Sequence, residues 1–302
     1  MKNITQDSNP NSPRFSIVIP CYNEEDYIAS ALESLFSQQT SCSYEVVVVD
    51  NNCTDRTAEI AASYGARVVK ETTPGICAAR QAGTDAALGE IVISTDADTN
   101  FNPNWLESYH QAYLADPELI AVGGSCRYYD CPWWGKIYPK FQFGLDNLLY
   151  RLSGRVFYIT ANNISFKRAV FDGYDPLLSD YQGGDEIKLL HQLRAKGKVG
   201  FLPDNITYTS GRRLQNGLFY NLFVTFCFYY LAGYFINSLF KRRVIGNAPA
   251  FRSSNRQLQP NLVPFIVAAV AFSLPLLVAN HHIKSFVSDN AQDVVAAVKH
   301  LI

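Results

Sequence analysis

An excess of charge of either sign is absent from this 302-residue chain: 26 Lys and Arg face 27 Asp and Glu, for a net charge of −1. That balance argues against nucleic acid as a partner, since binding a phosphate backbone calls for a basic surplus. Paired C-x-x-C spacing is also missing. The seven cysteines, at positions 21, 42, 53, 77, 126, 131 and 227, are scattered and odd in number, which speaks against a structural zinc site and for reduced cytosolic thiols. Residues 1–13 are polar with no hydrophobic stretch, so they read as a disordered lead-in and not as a secretory signal. On that reading the sequons at Asn3, Asn52, Asn163 and Asn205 are accidental. Neither an internal repeat nor a low-complexity stretch is present. The length allows one large domain with an appendage, or two small ones.

What is present is an alternation of short apolar runs with helical patterns. Residues 15–20 read as a first strand, 45–50 as a second of the kind covered on both faces, 66–70 as a third and 90–95 as a fourth. Between them, residues 27–37 show helical spacing of Ile28, Ala31, Leu32 and Leu35. Thr54 or Asp55 is placed to cap the next helix, 76–88 forms a third, and Pro103 opens another at its favoured first-turn position. Such βαβ succession predicts an α/β fold around a mostly parallel sheet, with ligands at the carboxyl ends of the strands where the strand order reverses. Residues 119–129 look like a further strand, 133–158 are aromatic-rich and without a clear period, and 187–197 form a helix with a basic last turn.

Asp96 and Asp98 in Thr95-Asp96-Ala97-Asp98 stand at one of the predicted strand ends. Two carboxylates flanking a small residue repel each other and lose hydration, so a fold that keeps both has use for a cation, and a hard divalent ion carrying a diphosphate is the obvious one. From residue 218 the composition changes. Residues 218–240 carry ten aromatics and no charge before Lys241-Arg242-Arg243, and residues 262–279 are uncharged and apolar apart from Ser273. With Arg252 and Arg256 between them, these runs suit a membrane surface; the alternative is a buried helix pair.

Four motifs in order, residues 17–25 (Ile-Val-Ile-Pro-Cys-Tyr-Asn-Glu-Glu), 49–55 (Val-Asp-Asn-Asn-Cys-Thr-Asp), 79–83 (Ala-Arg-Gln-Ala-Gly) and Thr95-Asp96-Ala97-Asp98, resemble the family 2 glycosyltransferases with the nucleotide-diphospho-sugar (GT-A) fold. The resemblance covers roughly residues 15–213. It implies a catalytic domain over 14–213 and an inverting, metal-dependent sugar transfer, while the change of composition beyond it marks 214–302 as a hydrophobic helical, membrane-associated tail. By that likeness Pro20 and Tyr22 line the nucleotide pocket, and Tyr22 is placed to pack on a nucleobase. Glu24 accepts from donor hydroxyls, or simply begins the following helix. Asp50 reads a uracil or guanine N–H, or serves a turn with Asn51 and Asn52. Arg80 supplies a cation near the nucleotide, or is a solvated helix arginine. Asp98 is the implied direct ligand of Mn²⁺ or Mg²⁺, and Asp96 holds the donor ribose or stands behind the metal's ligands.

Asp185 and Glu186 occupy the place of the family's Glu-Asp base motif in reversed order, so Glu186 falls where the base Asp is expected. Asn162 and Asn163 resemble its acceptor-side loop. Arg212 and Arg213 are placed to clamp a diphosphate or to face a membrane. The Gln-x-x-Arg-Trp signature of processive synthases is missing, Arg213 being followed by Leu214, which favours single sugar addition. His110 and His191 read as structural. The implied partners are a nucleotide-diphospho-sugar donor, a lipid-linked acceptor (polyprenyl phosphate or glycolipid) or a glycan, and a membrane surface, with the catalytic domain facing the cytoplasm. Two competing readings are a nucleotidyltransferase, whose Gly-rich basic loop is replaced here by acidic residues 21–26, and a catalytically silent membrane adaptor.

Overall fold

The computed structural model describes residues 12–174, 185–218 and 220–221. Its strands are β1 (Phe15–Cys21), β2 (Tyr44–Asp50), β3 (Arg67–Lys70), β4 (Ile91–Ser94), β5 (Thr99–Phe101), β6 (Leu119–Tyr129), β7 (Ile164–Lys167) and β8 (Lys198–Ser210). The helices are α1 (Ile28–Phe36), α2 (Thr57–Ser63), α3 (Ile76–Ala86), α4 (Trp105–Ala115), α5 (Trp133–Ser153) and α6 (Asp185–Lys196). Among the described residues the strands form one sheet in the order β3-β2-β1-β4-β7-β6-β8-β5.

Strand β1 shows why the chain folds this way. Phe15, Ile17, Ile19 and Cys21 enter one core with Leu32 and Leu35 of α1 and Trp105 and Leu106 of α4, whereas Val18 enters the other with Ala79 of α3. Successive side chains point to opposite faces, so a strand covered on both sides has to be apolar throughout. Each buried aliphatic side chain contributes about 1.5–3 kcal/mol. Helix α3 lies close against this strand because residue 83 is glycine: a Cβ there would fall 2.3 Å from Val18 Cγ1.

Only the first half of the sheet is the parallel array that the alternation predicts. β3, β2, β1 and β4 run parallel, but β7 pairs antiparallel with both β4 and β6, β6 pairs parallel with β8, and β8 pairs antiparallel with β5. The sheet is therefore mixed but still mostly parallel, since only β7 and β5 run against the other six strands. The reason is topological: β6, β7 and β8 are joined across long excursions that return either way, whereas each early strand is followed by one crossover helix.

Smaller departures have local causes. The helix after Pro103 begins at Trp105. Helix α2 is entered through Asp55, whose Oδ1 accepts the Thr57 N–H at 3.0 Å and the Thr57 hydroxyl at 2.6 Å. The aromatic stretch after residue 133 is the 21-residue helix α5. Residues 222–302, and with them most of the expected membrane-associated tail, lie outside the described residues, as does the lead-in through residue 11. No described helix is long and apolar enough to cross a membrane.

Candidate active site

The order in which strands join the sheet reverses at β1. The sheet grows outward from β1 through β2 to β3, then returns to β4 on the other side of β1, with Val18 opposite both Val47 and Ser94. The carboxyl ends of β1, β2 and β4 thus face a common crevice, the usual ligand site of an open α/β sheet.

Its wall on the β1–β2 side is two interlocked loops. Asn23 and Asn52 both take left-handed backbone conformations, φ 54° and 65°, which Asn tolerates better than most residues. Asn23 Oδ1 accepts the Thr54 N–H at 2.7 Å, Thr57 Oγ1 accepts the Glu24 N–H at 2.8 Å, Asp55 accepts the Glu25 N–H at 3.1 Å, and Glu25 in return accepts the Arg56 N–H at 3.1 Å. Asp50 Oδ1 accepts the Cys53 N–H at 2.8 Å, so one carboxylate oxygen performs the turn role. Asn51 is buried and ties this end of β2 to the segment before α3, donating to the carbonyls of Glu71 and Thr73 and accepting from the Gly75 N–H at 2.9 Å. Pro20 is buried in β1, and the ring of Tyr22, 41% exposed, stands at its end.

At the β4 end the acidic residues meet two arginines. Arg80, on α3 three residues before the close contact at Gly83, is only 4% exposed and pairs with Asp96 at 3.0 Å. It is therefore not the solvated helix arginine that the sequence also allowed. Asp98 begins the turn into β5. Its Oδ1 accepts the Thr209 hydroxyl at 2.9 Å, its Oδ2 lies 3.1 Å from Arg212, and its carbonyl accepts the Tyr129 hydroxyl at 3.1 Å. Burial, with the charge of Asp96 adding to it and Arg212 opposing, pushes the Asp98 carboxyl up to about 6. Arg212 also grips Glu24 through two bonds of 2.8 Å each, with its guanidinium 4.5 Å from the Tyr27 ring centroid. Although burial disfavours its charge, Glu24 and Asp98 more than compensate and raise the Arg212 pKa.

The expected arginine clamp is thus split. Arg212 bridges Glu24 and Asp98 across 188 residues of sequence, and Arg213 is exposed. Glu24 is an ion-pair partner in the crevice, and not only the start of a helix, although its carbonyl does accept the N–H groups of Tyr27 and Ile28.

Asn163 has to be reassigned. It is fully buried, and its side chain fills a break in the β6–β8 ladder, where the register shifts between Gly124 and Ser125 and pairing jumps from Leu202 to Ile206. Its Nδ2 donates to the carbonyls of Ser125 and Asn205 at 2.7 and 2.8 Å, and its Oδ1 accepts from Trp105 Nε1 and the Tyr109 hydroxyl at 2.8 and 2.7 Å. With both lone-pair directions and both donors used, it holds no group back for an acceptor. Gly124 is required beside it, since a Cβ there would lie 2.3 Å from Asn163 Nδ2. Asn162 is also buried. It accepts from Thr160 at 2.7 Å, bonds Cys126 Sγ, and through its carbonyl receives the Thr95 hydroxyl, so it supports the β4 end from behind.

Glu186 is half-buried in the first turn of α6, and its charge helps burial raise the Tyr158 hydroxyl pKa. The side chain of Asp185 lies outside the described residues, as do residues 175–184 before it. Burial pushes Cys53 and Cys126 up to about 11, which keeps both as thiols at neutral pH. Thr209, Tyr27 and Tyr129, which shape the crevice around Asp98, carry no local signal in the sequence. Thr209 and Tyr129 arrive there through the β5–β8 and β6–β8 pairings, and Tyr27 from the start of α1.

Among the described residues no group of three or more His, Cys, Asp or Glu could hold a metal ion by itself. The donor set of Asp98 and Asp96 fits instead a hard cation that takes its other ligands from phosphate oxygens and water.

A mixed sheet flanked by helices, with paired carboxylates at its topological switch point, defines a GT-A-type domain. Two groups of solved structures share this fold. The Staphylococcus aureus TarS fragment 1–349 in complex with UDP is 20% identical, with a TM-score of 0.54 over 65% of this chain and 60% of that one. Glucosyl-3-phosphoglycerate synthase of Mycobacterium tuberculosis, in complex with Mn²⁺, UDP and phosphoglyceric acid, is 23% identical, with a TM-score of 0.50 over 68% and 73%. Among curated relatives, an uncharacterised glycosyltransferase of M. tuberculosis is 43% identical over 83 residues, 28% of this chain and 36% of its own length. The poly(ribitol-phosphate) β-N-acetylglucosaminyltransferase TarS of S. aureus is 27% identical over 194 residues, 59% of this chain and 34% of its own. The chain thus spans about a third of the length of these relatives. Residues 16–174 match glycosyl transferase family 2, and the chain belongs to that family.

Proposed function

We propose that this chain is an inverting, metal-dependent, non-processive glycosyltransferase that moves a sugar from a nucleotide-diphospho-sugar to an acceptor. The observation that carries this reading is the placement of Asp98 and Asp96, both half-buried, just beyond the end of β4, each held by a different arginine. UDP is the favoured donor nucleotide because the TarS and glucosyl-3-phosphoglycerate synthase neighbours were solved with it. Tyr22, Asp50, Arg80 and Glu24 line the crevice where it would lie.

Asp98, with Asp96 behind it, would hold Mn²⁺ or Mg²⁺. A bound cation supplies Lewis-acid neutralisation of the departing diphosphate. Arg80 fixes the orientation of Asp96, and the Glu24–Arg212–Asp98 bridge presents a guanidinium, stacked on Tyr27, to the same crevice. Such a preorganised cation favours charge that develops as the nucleotide leaves. On the opposite face of the sugar, Glu186 takes the proton of the acceptor hydroxyl as its oxygen bonds the anomeric carbon and the bond to the diphosphate breaks. Asp185 is the alternative base.

The acceptor we favour is lipid-linked, and the support is compositional. The aromatic, uncharged residues 218–240, the apolar residues 262–279 and the cations Lys241, Arg242, Arg243, Arg252 and Arg256 suit a tail held at an anionic, cytoplasm-facing membrane.

The deciding experiment is a panel of UDP-, GDP- and dTDP-sugars, with and without Mn²⁺, read by thermal stabilisation and by sugar release. Ligand at 100 times its dissociation constant adds about 2.7 kcal/mol. Glu186→Gln should lower turnover by about 10²–10⁴ with donor affinity retained. Donor binding indifferent to Mn²⁺, or turnover unaffected by both Glu186→Gln and Asp185→Asn, would overturn the assignment.

A further inference from the structure

Helix α5 carries an apolar face that the fold leaves outside. Its inner side is formed by Gly135, Pro139 and Phe143, all buried; Gly135 sits so close to the segment after β8 that a Cβ would lie 2.8 Å from Leu214 Cδ1. Its outer side is Trp133, Ile137, Phe141, Leu145, Leu148 and Leu152, spaced four, four, four, three and four residues apart, which places them on one stripe of a helix about 30 Å long. Trp133, Phe141 and Leu152 are 74%, 75% and 76% exposed, and Tyr138 beside them is also exposed. A monomer seldom leaves so continuous a stripe of large apolar side chains in water unless something covers it.

We infer that this face of α5 is a bilayer-docking surface, by which the domain itself lies on an anionic membrane. Three observations select lipid as the occupant. Lys136, Lys140 and Arg151 on the helix, with Arg155 just beyond it, are all exposed, against one acidic residue, the half-buried Asp146. A stripe of Trp, Phe and Leu flanked by such cations is the pattern of a helix lying in the headgroup plane, where the apolar side enters the acyl boundary and the cations meet phosphates. The chain also leaves the domain at this end. The 3₁₀ turn Arg212–Asn216 packs on the start of α5, Gln215 bonds Asp130 at 3.2 Å, and the aromatic run beginning at residue 218 follows directly. Because α5 carries charges and a buried inner face, it lies along the bilayer and does not cross it. This surface goes beyond the sugar-transfer reading and does not depend on it.

Tryptophan makes the test specific to α5. The chain has three, Trp105 in the core and Trp133 and Trp134 at the start of α5, and none after residue 134. The full-length Trp134→Phe variant, bound to vesicles of phosphatidylcholine and phosphatidylglycerol with brominated acyl chains, should lose about half of its tryptophan emission, as expected of a ring held ~5–10 Å into the headgroup boundary. Adding Phe141→Glu and Leu148→Glu, both at exposed positions, should restore most of that emission while metal-supported UDP binding is unchanged. Sedimentation with vesicles without quenching would mean that the tail alone makes contact and α5 faces the tail or a second copy, and would overturn the proposal. So would quenching that survives both charge substitutions, or substitutions that abolish UDP binding as well.

Discussion

The two halves of the sheet are built by different rules. β3-β2-β1-β4 is parallel, each strand separated from the next in sequence by one short helix, and its loops bond mainly to each other. β7-β6-β8-β5 mixes directions and joins residues more than a hundred positions apart, such as Thr99 with Thr209. The first half supplies a rigid rim of the kind that grips a nucleotide. The second delivers Thr209, Tyr129 and Arg212 to Asp98, so the chemistry is concentrated where the halves meet. Groups at this seam are arranged at a cost to stability, whereas groups deeper in the second half serve stability alone.

The strongest test of that division is Asp98→Asn. Losing the proposed metal-binding charge should lower turnover by about 10³. Thermal stability should hold or rise, because a buried carboxylate beside Asp96 is relieved. A large fall in melting temperature with intact Mn²⁺-dependent binding would erase the distinction between seam and scaffold.

Asn163→Ala should do the opposite. It strands the groups of Trp105, Tyr109, Ser125 and Asn205, which is expected to cost about 3 kcal/mol or more in urea denaturation. Donor affinity of the folded fraction should be unchanged. Weaker donor binding without loss of stability would return Asn163 to the site.

At the seam itself, Arg212→Lys keeps the charge but removes the two-pronged grip on Glu24 and the stacking on Tyr27. Donor affinity should fall about tenfold by calorimetry. An unchanged affinity would confine Arg212 to a scaffolding role.

The smallest effect belongs to Glu107 in α4, which accepts the Ser41 N–H at 2.9 Å and the Thr40 hydroxyl at 2.8 Å. These bonds hold its carboxyl down at about 2, against an ordinary value of 4.5. A depressed acid stabilises the fold fully above the unfolded value and loses that contribution as pH falls from about 4.5 towards 2. Because the group is near the surface, Glu107→Gln should lower stability at neutral pH by less than about 1 kcal/mol. The gap from wild type should close over that acidic window, and a gap independent of pH would rule out the ionised carboxylate as its source.

Much of this architecture could be read from the residues in order. Strands β1 to β4 and helices α1 and α3 follow from continuous apolar runs and period-3.6 patterns that are local, and the motifs around Tyr22, Asp50 and Asp96 lie at strand ends for the same reason, with Arg80 on α3. The turn role of Asp50 was equally legible, since an Asp followed by two Asn favours a turn. Sequence reasoning went astray over Asn163, where a polar residue in a loop-like setting resembled an acceptor contact. Its burial depends on a ladder break between β6 and β8, and no local pattern announces a break between strands separated by some eighty residues.

Sequence alone therefore determined the parallel half of the sheet, the family and the acidic pair, because each rests on short local runs and motifs in successive βα units. Tertiary structure alone decided that Arg212 closes on Glu24 and Asp98, that Asn162 and Asn163 are internal supports, and which stripe of α5 is left outside. These outcomes depend on which distant strands pair and which helix face the sheet covers. That choice is made by packing over the whole domain, where a side chain's partners are set by register and burial and not by its place in the chain.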